Sequence, residues 1–474
     1  MSKSSNLQCK GKLHDGEPCP RKVIHASEWC IFHYPNKDRE LSLLFSEAFE
    51  EEMKKQEKEH FEFFDFTGFD FPNKIEFKGD FQKVILNSAI FRLQVQFKSA
   101  IFKKEVMFIG TTFRRNTNFR DATFKRDAIF INATLSGMTL FKYATFEKDA
   151  IFGGATFKKR AMFIDTTFRR SVRFKGVKFS RYTTFKRVIF NTANFKDAIF
   201  ETDANFGGTI FKGTANFRGA IFEGRAWFNY VTFEGNVRFN GATFMEDSRF
   251  RLRIFSIMNF NRITIEREFN ININWMPVKY EKGIMSYSVQ IRNPIIGKKG
   301  KIVISGSLGV KEKEYVAGIS LLNTDLSKIE FIDESWIIEN GRKTIIDEIF
   351  LRKQIEFPSP NQLAQTYRRL RDNYENAKRY SEAGDFFIGE MEILRKHDPS
   401  ILNRILYTIY NILSKYGESV EWPIVWIFLS IILIALIRCA FLRRAPVELS
   451  ARSREFINSL FLTVKAFFPF NRSE

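Results

Sequence analysis

The chain is 474 residues long and carries 74 Lys and Arg against 54 Asp and Glu, a formal charge of +20, with 55 Phe but only four Cys and five His. Four cysteines at this length exclude a disulfide scaffold, and because His60 and His397 are the only histidines after residue 33, no His-centred catalytic pair can be drawn from the bulk of the chain. The positive excess points towards an anionic partner such as nucleic acid or a phospholipid headgroup surface, or to neither.

The opening MSKSSNLQCKGKLHDGE lacks the apolar core of a secretory signal, so the bulk of the chain is expected to start in the cytosol. Residues 1–36 then concentrate Cys9, Cys19, Cys30 and His33. This Cys₃His set suits tetrahedral zinc: Cys30 and His33 come from one tight turn, and Gly16-Glu17-Pro18 turns Cys19 back beside Cys9. Four protein ligands leave no position for a substrate, so the metal is expected to be structural and to fold a segment too short to build its own core. His14 and His25 are substitutes for His33 as fourth ligand, and free buried thiols or a catalytic zinc are the alternatives. Residues 37–60 place Leu41, Leu44, Phe45, Phe49 and Met53 at helical spacing and are read as a helix that covers the N-terminal edge of the segment beginning at residue 61.

Residues 61–260 repeat. Phe stands at 91, 97, 102, 108, 113, 119, 124 and 130, then Leu135 intervenes, and the Phe series resumes at 141 and runs in steps of five and six to Phe255 and Phe260. Neither an α-helix nor a flat strand puts such a spacing on one face, whereas a coiled solenoid does. The residue two before each Phe is often small, as in ATF at 122–124 and ANF at 193–195, which leaves room for stacked rings. In these features the sequence resembles the pentapeptide-repeat family in its Phe-centred form. The resemblance implies a mainly β fold, a right-handed quadrilateral β-helix with four centres per coil and buried rings. Between residues 91 and 260 there are 30 Lys and Arg and 13 Asp and Glu, a balance of +17. Some members of the family mimic DNA with acidic rods, which the sign here excludes. A basic rod instead lies along phosphates or anionic lipid, or simply keeps the stack soluble.

Residues 261–358 break the rhythm and are expected to form a strand-rich insertion, then a last coil on Leu321, Leu326, Phe331 and Trp336. Residues 359–416 read as a helical hairpin, similar to a tetratricopeptide-like unit, plus an amphipathic helix. The first helix turns Leu363, Tyr367, Leu370, Tyr374 and Ala377 inward, and the second Ala383, Phe386, Phe387, Met391 and Leu394. Glu382, Asp385, Glu390 and Glu392 are read as solvated surface charges. Residues 420–442 are expected to be a transmembrane helix, since Trp422 to Leu442 gives about 31 Å at ~1.5 Å per residue against a ~30 Å hydrocarbon core. Residues 443–474 are expected to form a basic amphipathic tail.

The order of repeat, AGDFFIGEME hairpin and LSKYGES before an apolar helix resembles pentapeptide-repeat proteins that end in a two-helix potassium-channel-like pore. FINSLFLTVKAFFPF corresponds to a pore helix, but no TVGYG-like filter comes after it. The leading expectation is a non-enzymatic scaffold or interaction protein anchored in the cytoplasmic membrane, with its bulk facing the cytoplasm and a structural zinc. Anionic lipid or protein would be its partner, and homo-oligomers are open to it. The alternatives are a subunit of a channel-like sensor or pore, and a basic nucleic-acid-binding rod.

Overall fold

The computed structural model describes residues 8–442 except 14, 25–26, 36, 38, 60–62, 276–284, 312–314 and 354–357, together with 455, 458, 461 and 462. His14, His25 and nearly all of the tail at 443–474 lie outside the described residues. The chain divides into two units, Met1–Ile337 with Ile345–Phe350, and Ile338–Thr344 with Leu351–Glu474.

In the first unit short strands recur at every repeat, and each pairs in parallel with the strand one coil later. Thr123–Phe124 pairs with Thr145–Phe146, Ala128–Ile129 with Ala150–Ile151, and Thr134–Leu135 with Thr156–Phe157. Thr139–Leu140 with Ala161–Met162 supplies the fourth side. This register stacks like on like. The rings of Phe119, Phe141, Phe163 and Phe185 succeed one another at centroid distances of 4.7, 4.8 and 4.9 Å, the separation of hydrogen-bonded strands. Rings of adjacent columns meet edge to face, as Phe130 and Phe141 do at 5.8 Å, the arrangement that aromatic quadrupoles favour. Ala122, Ala128, Ala144 and Ala150 are fully buried between the columns, in positions where other coils place compact residues such as Val or Thr, as Val106 does beneath Ala128. One corner of the coil turns through left-handed backbone at Gly110, Asn132, Gly154, Gly176, Asp197, Gly219 and Gly241. Gly, Asn and Asp tolerate that conformation best, and it makes the five-residue step possible.

Two expectations about the solenoid are corrected. Phe255 does not occupy the core, because Ile254 pairs with Phe233 and is fully buried. The strand Ser248–Ile254 runs straight through a corner where the preceding coil bulges at Tyr230, so alternation buries Phe250, Leu252 and Ile254. Residues 261–316 also continue the stack where an insertion is expected: Thr264 pairs with Ile295, Phe269 with Ile302 and Val289 with Ile319, all in parallel. These coils are longer, so the five-residue rhythm disappears while the ladder persists. Leu321, Leu326, Phe331 and Trp336 are buried as the next centres.

Both edges of the stack are covered, since an open edge would pair with another chain. Helix α1 (Arg39–Glu59) sets Phe45 and Phe49 edge-on against Phe71 at 5.5 and 5.3 Å. Leu44, expected on the same face, is exposed, since the buried stripe is the one through Phe45 and Phe49. At the other end Val316 and Ile337 pack with Ile346, Ile349 and Phe350 from the start of α2 (Ile346–Lys353).

The second unit is helical. A capping box at Ser359 and Gln362 opens α3 (Pro360–Asn376), and Leu363, Tyr367, Leu370 and Tyr374 turn inward. Helix α4 (Tyr380–His397) faces them with Ala383, Phe386 and Ile393. Ile393, rather than Leu394, takes the inward position. Gly389 admits the Tyr367 ring so closely that a Cβ there would lie 2.6 Å from it. Helix α5 (Ile401–Ser414) buries none of its residues, and α6 (Glu421–Leu442) comes after a left-handed elbow at Lys415, Tyr416 and Gly417. The Tyr416 hydroxyl donates to Glu392 at 2.8 Å, which ties the elbow to α4.

Among the described residues no helix is long and apolar enough to cross a membrane. The spanning helix expected over 420–442 is therefore not found among the described residues, where α6 is an apolar helix with mostly exposed side chains.

The register around Ile254 makes a direct test. Ile254→Ala should cost about 2–5 kcal/mol in denaturant unfolding, whereas Phe255→Ala should cost less than half as much. The reverse order would restore the five-residue spacing and refute the straight strand.

Candidate metal centre

Cys9 and Cys19 lie on two arms of a short hairpin. Lys12 bridges Pro18 in antiparallel fashion, Cys19 N–H donates to Gly11 O at 2.8 Å, and Gly16 makes the turn at φ +89°. Cys30 and His33 come from one turn in which His33 N–H and Tyr34 N–H both donate to Cys30 O. The four side chains predicted from spacing converge, all are buried, and their ligating atoms lie within 4.8 Å of one another. His33 Nδ1 is 3.1 Å from Cys30 Sγ and 3.5 Å from Cys9 Sγ, and Cys19 Sγ is 4.0 Å from Cys30 Sγ. Ligands bonded at ~2.0–2.3 Å in a tetrahedron stand ~3.3–3.8 Å apart, so the group fits a four-coordinate metal with little movement.

The surroundings orient the ligands. His33 Nε2–H donates to Thr67 O at 2.9 Å, which fixes the tautomer and leaves the Nδ1 lone pair directed at the sulfurs. Gly11 N–H and Cys30 N–H donate to Cys9 Sγ at 3.3 and 3.2 Å. A hydrogen bond from Cys30 holds the Cys19 thiol down to about 3, and the same shared proton, with burial, pushes Cys30 up. Arg21 lies 3.6 Å from Cys19 Sγ and 2.5 Å from Glu52 of α1, and its guanidinium covers the rings of Phe32 and Phe69. Sequence reasoning missed Arg21, Gly11 and Thr67. Arg21 alone had a local signal, a cation two residues after a ligand.

The cluster is built into the first coil, where a separate module is expected over 1–36. Phe32 stacks on Phe69 at 4.5 Å, Asp70 N–H donates to Phe32 O, and half-buried Lys37 donates to Asp70 O at 2.8 Å. The four ligands therefore hold one end of the solenoid.

The carboxylates of α4 form no second site. Glu390, expected at the surface, is 3% exposed and clamped by Arg368 at 2.7 Å and Arg371 at 3.3 Å. Its burial arises because α3 brings two arginines over a helix face that sequence periodicity marks as polar. Glu382 pairs with Arg379, Asp385 with Lys343, and Glu392 with Arg395.

Compared with known proteins, residues 86–134, 122–167, 163–210 and 206–251 match the family model described as pentapeptide repeats. The matched stretch is a little over a third of the chain, and its strands are pentapeptide repeats. An uncharacterized protein of Methanocaldococcus jannaschii is 30% identical over 100 residues, 21% of this chain and 21% of that protein. The chain therefore spans about a fifth of that relative's length. No solved structure matches.

A Cβ on Gly11 would lie 2.5 Å from the His33 ring, so Gly11→Ala should displace the fourth ligand. Cobalt(II) titration is expected to show a roughly 10–100-fold loss of affinity for tetrahedral coordination in this variant. Unchanged cobalt spectra and affinity would remove His33 from the site.

Proposed function

We propose that this chain is a non-catalytic, membrane-anchored scaffold: a pentapeptide-repeat solenoid clamped at its N-terminal end by a structural zinc and held at a bilayer by α5 and α6. One observation carries the reading. On α5, Ile401, Leu402, Ile405, Leu406, Ile409, Ile412 and Leu413 are all between 45 and 67% exposed. On α6 the aliphatic side chains continue outward through Ile437, with only Ile431 and Ala435 buried among its described residues. An apolar surface of this extent is not stable in water, and no charge interrupts Trp422 to Ile437. Helix α5 suits the interface, and α6 the hydrocarbon beyond it.

Zinc suits the ligand set better than other metals because three thiolates and an imidazole are soft to borderline donors in a closed tetrahedral set. Three thiolates and Zn²⁺ carry a net negative charge that Arg21 offsets. Thiolate ligands also favour a reducing compartment, which supports a solenoid on the cytoplasmic side of the membrane. The zinc would replace core that a short hairpin lacks and would keep Phe32 and α1 seated over the first ring columns.

Membrane fractionation tests the anchor. The full chain is expected to resist carbonate and require detergent, while the chain ended at Ser419 is released by carbonate. Release of the full chain without detergent would overturn the anchor. Metal analysis of the purified chain should give one zinc per chain, and Cys19→Ser together with Cys30→Ser should abolish it.

A further inference from the structure

We infer that one corner of the solenoid is a binding groove for single-stranded nucleic acid. The groove encloses about 690 Å³ and crosses successive coils between the strand that ends at Phe113 and the one that begins at Thr117. Coil by coil it presents Arg114 and Arg115, then Ser136 and Gly137, then Lys158, Lys159 and Arg160, then Arg181. The parallel register places these groups directly above one another.

At some other corners of the solenoid a cation is neutralised by a carboxylate one coil away, although others, such as Lys125 and Arg126, stand without such a pair among the described residues. Arg187 pairs with Asp165, Arg173 with Asp149, Lys178 with Glu201 and Lys103 with Asp80. Arg114, Arg115, Lys158, Lys159 and Arg160 are exposed and have no carboxylate in ion-pair contact among the described residues. Glu201, beside the groove, is already taken by Lys178, and Asp203 accepts the backbone N–H of Arg225. Cations stacked this closely repel one another, and an anion laid along them removes that cost.

The shape selects among anions. Gly137 has no room for a Cβ, which would fall 2.4 Å from Arg115 O. Gly137 is thus packed against the backbone of the preceding coil, and the Ser136-Gly137 rung, which carries no long side chain, separates two cationic rungs ~10 Å apart at ~4.8 Å per coil. The floor offers Met138 and half-buried Tyr182, an apolar and aromatic surface inside a ring of guanidinium and ammonium groups. A strand whose phosphates track the cations and whose bases rest on Tyr182 and the arginine planes satisfies both features. A duplex keeps its bases stacked inside, and a flat lipid surface presents none, so both leave the half-buried aromatic face of Tyr182 unused.

The test uses the full chain in detergent and a fluorescent oligothymidine of ~20 nucleotides, titrated by anisotropy at roughly 50 to 300 mM salt. Contact with about five phosphates predicts a log–log salt slope near −3.5, at ~0.7 per phosphate. Lys159→Glu with Arg160→Glu should weaken binding at least tenfold, with thermal unfolding unchanged. The same reversal on a different corner, Lys125→Glu with Arg126→Glu, should weaken it far less. Tyr182→Ala should lower affinity with the salt slope retained, which a purely electrostatic patch would not show. Absence of oligonucleotide binding, or equal losses from both double reversals, would overturn the groove. So would phosphatidylglycerol-doped micelles that bind in its place and alone respond to Lys159→Glu with Arg160→Glu, an outcome that assigns the corner to lipid.

Discussion

The spacing of hydrogen-bonded parallel strands governs this protein. Strands in a ladder stand ~4.8 Å apart, close to the distance at which two phenyl rings stack, and the coil keeps that distance down every column. The Phe119, Phe141, Phe163 and Phe185 series shows the match at 4.7 to 4.9 Å. Backbone pairing and ring stacking therefore reinforce each other without adjustment of either. Ala and other compact residues then suit the remaining inward positions, as Ala122, Ala128 and Ala144 do between the rings.

A stack of this kind has no natural end. Its last coils expose both a strand edge and a layer of rings, so its neighbours in sequence are shaped by the need to cover them. At the N-terminus the cover has two parts. Helix α1 brings Phe45 and Phe49, and the Cys and His hairpin brings Phe32 onto Phe69. The second part is too short to hold its shape by burial alone. Cys9, Cys19, Cys30 and His33 supply the missing constraint, and Thr67 O and Arg21 tie it to the first coil and to α1.

Because the rings fill the interior, charge is confined to the outside, and there the same register operates on it. A residue is stacked on whatever lies one coil before and after. Where that neighbour is acidic, as Asp165 is to Arg187, a bidentate pair forms at 2.7 Å through both contacts. Where it is another cation or a glycine, as along Arg115, Gly137, Lys159 and Arg181, positive charge accumulates in a concave strip. The solenoid is thus a ruler on which sequence writes a pattern of charge at fixed intervals. The apolar helices α5 and α6 belong to the other unit and obey a different rule, since their outward side chains find no cover among the described residues.

Much of this was legible from sequence. The five-and-six rhythm of Phe, broken once at Leu135, is a local pattern that a coiled solenoid satisfies, so spacing implied the solenoid and its buried rings, and the family resemblance implied its four sides. The Cys₃His group was legible for a related reason: few side chains bind soft metals, and these four stand alone in the first 33 residues apart from His14 and His25. Tertiary structure decided whatever depends on register between distant residues. Ile254 replaces Phe255 because the previous coil bulges at Tyr230 and its own does not. The coils beyond residue 260 remain in the ladder although their lengths hide the period. Glu390 is buried because two arginines of another helix reach it, and Arg114, Arg115, Lys159 and Arg160 line one groove because their coils align. A repeat determines which residues face inward, whereas the contents of each outer corner are settled only when the coils are stacked.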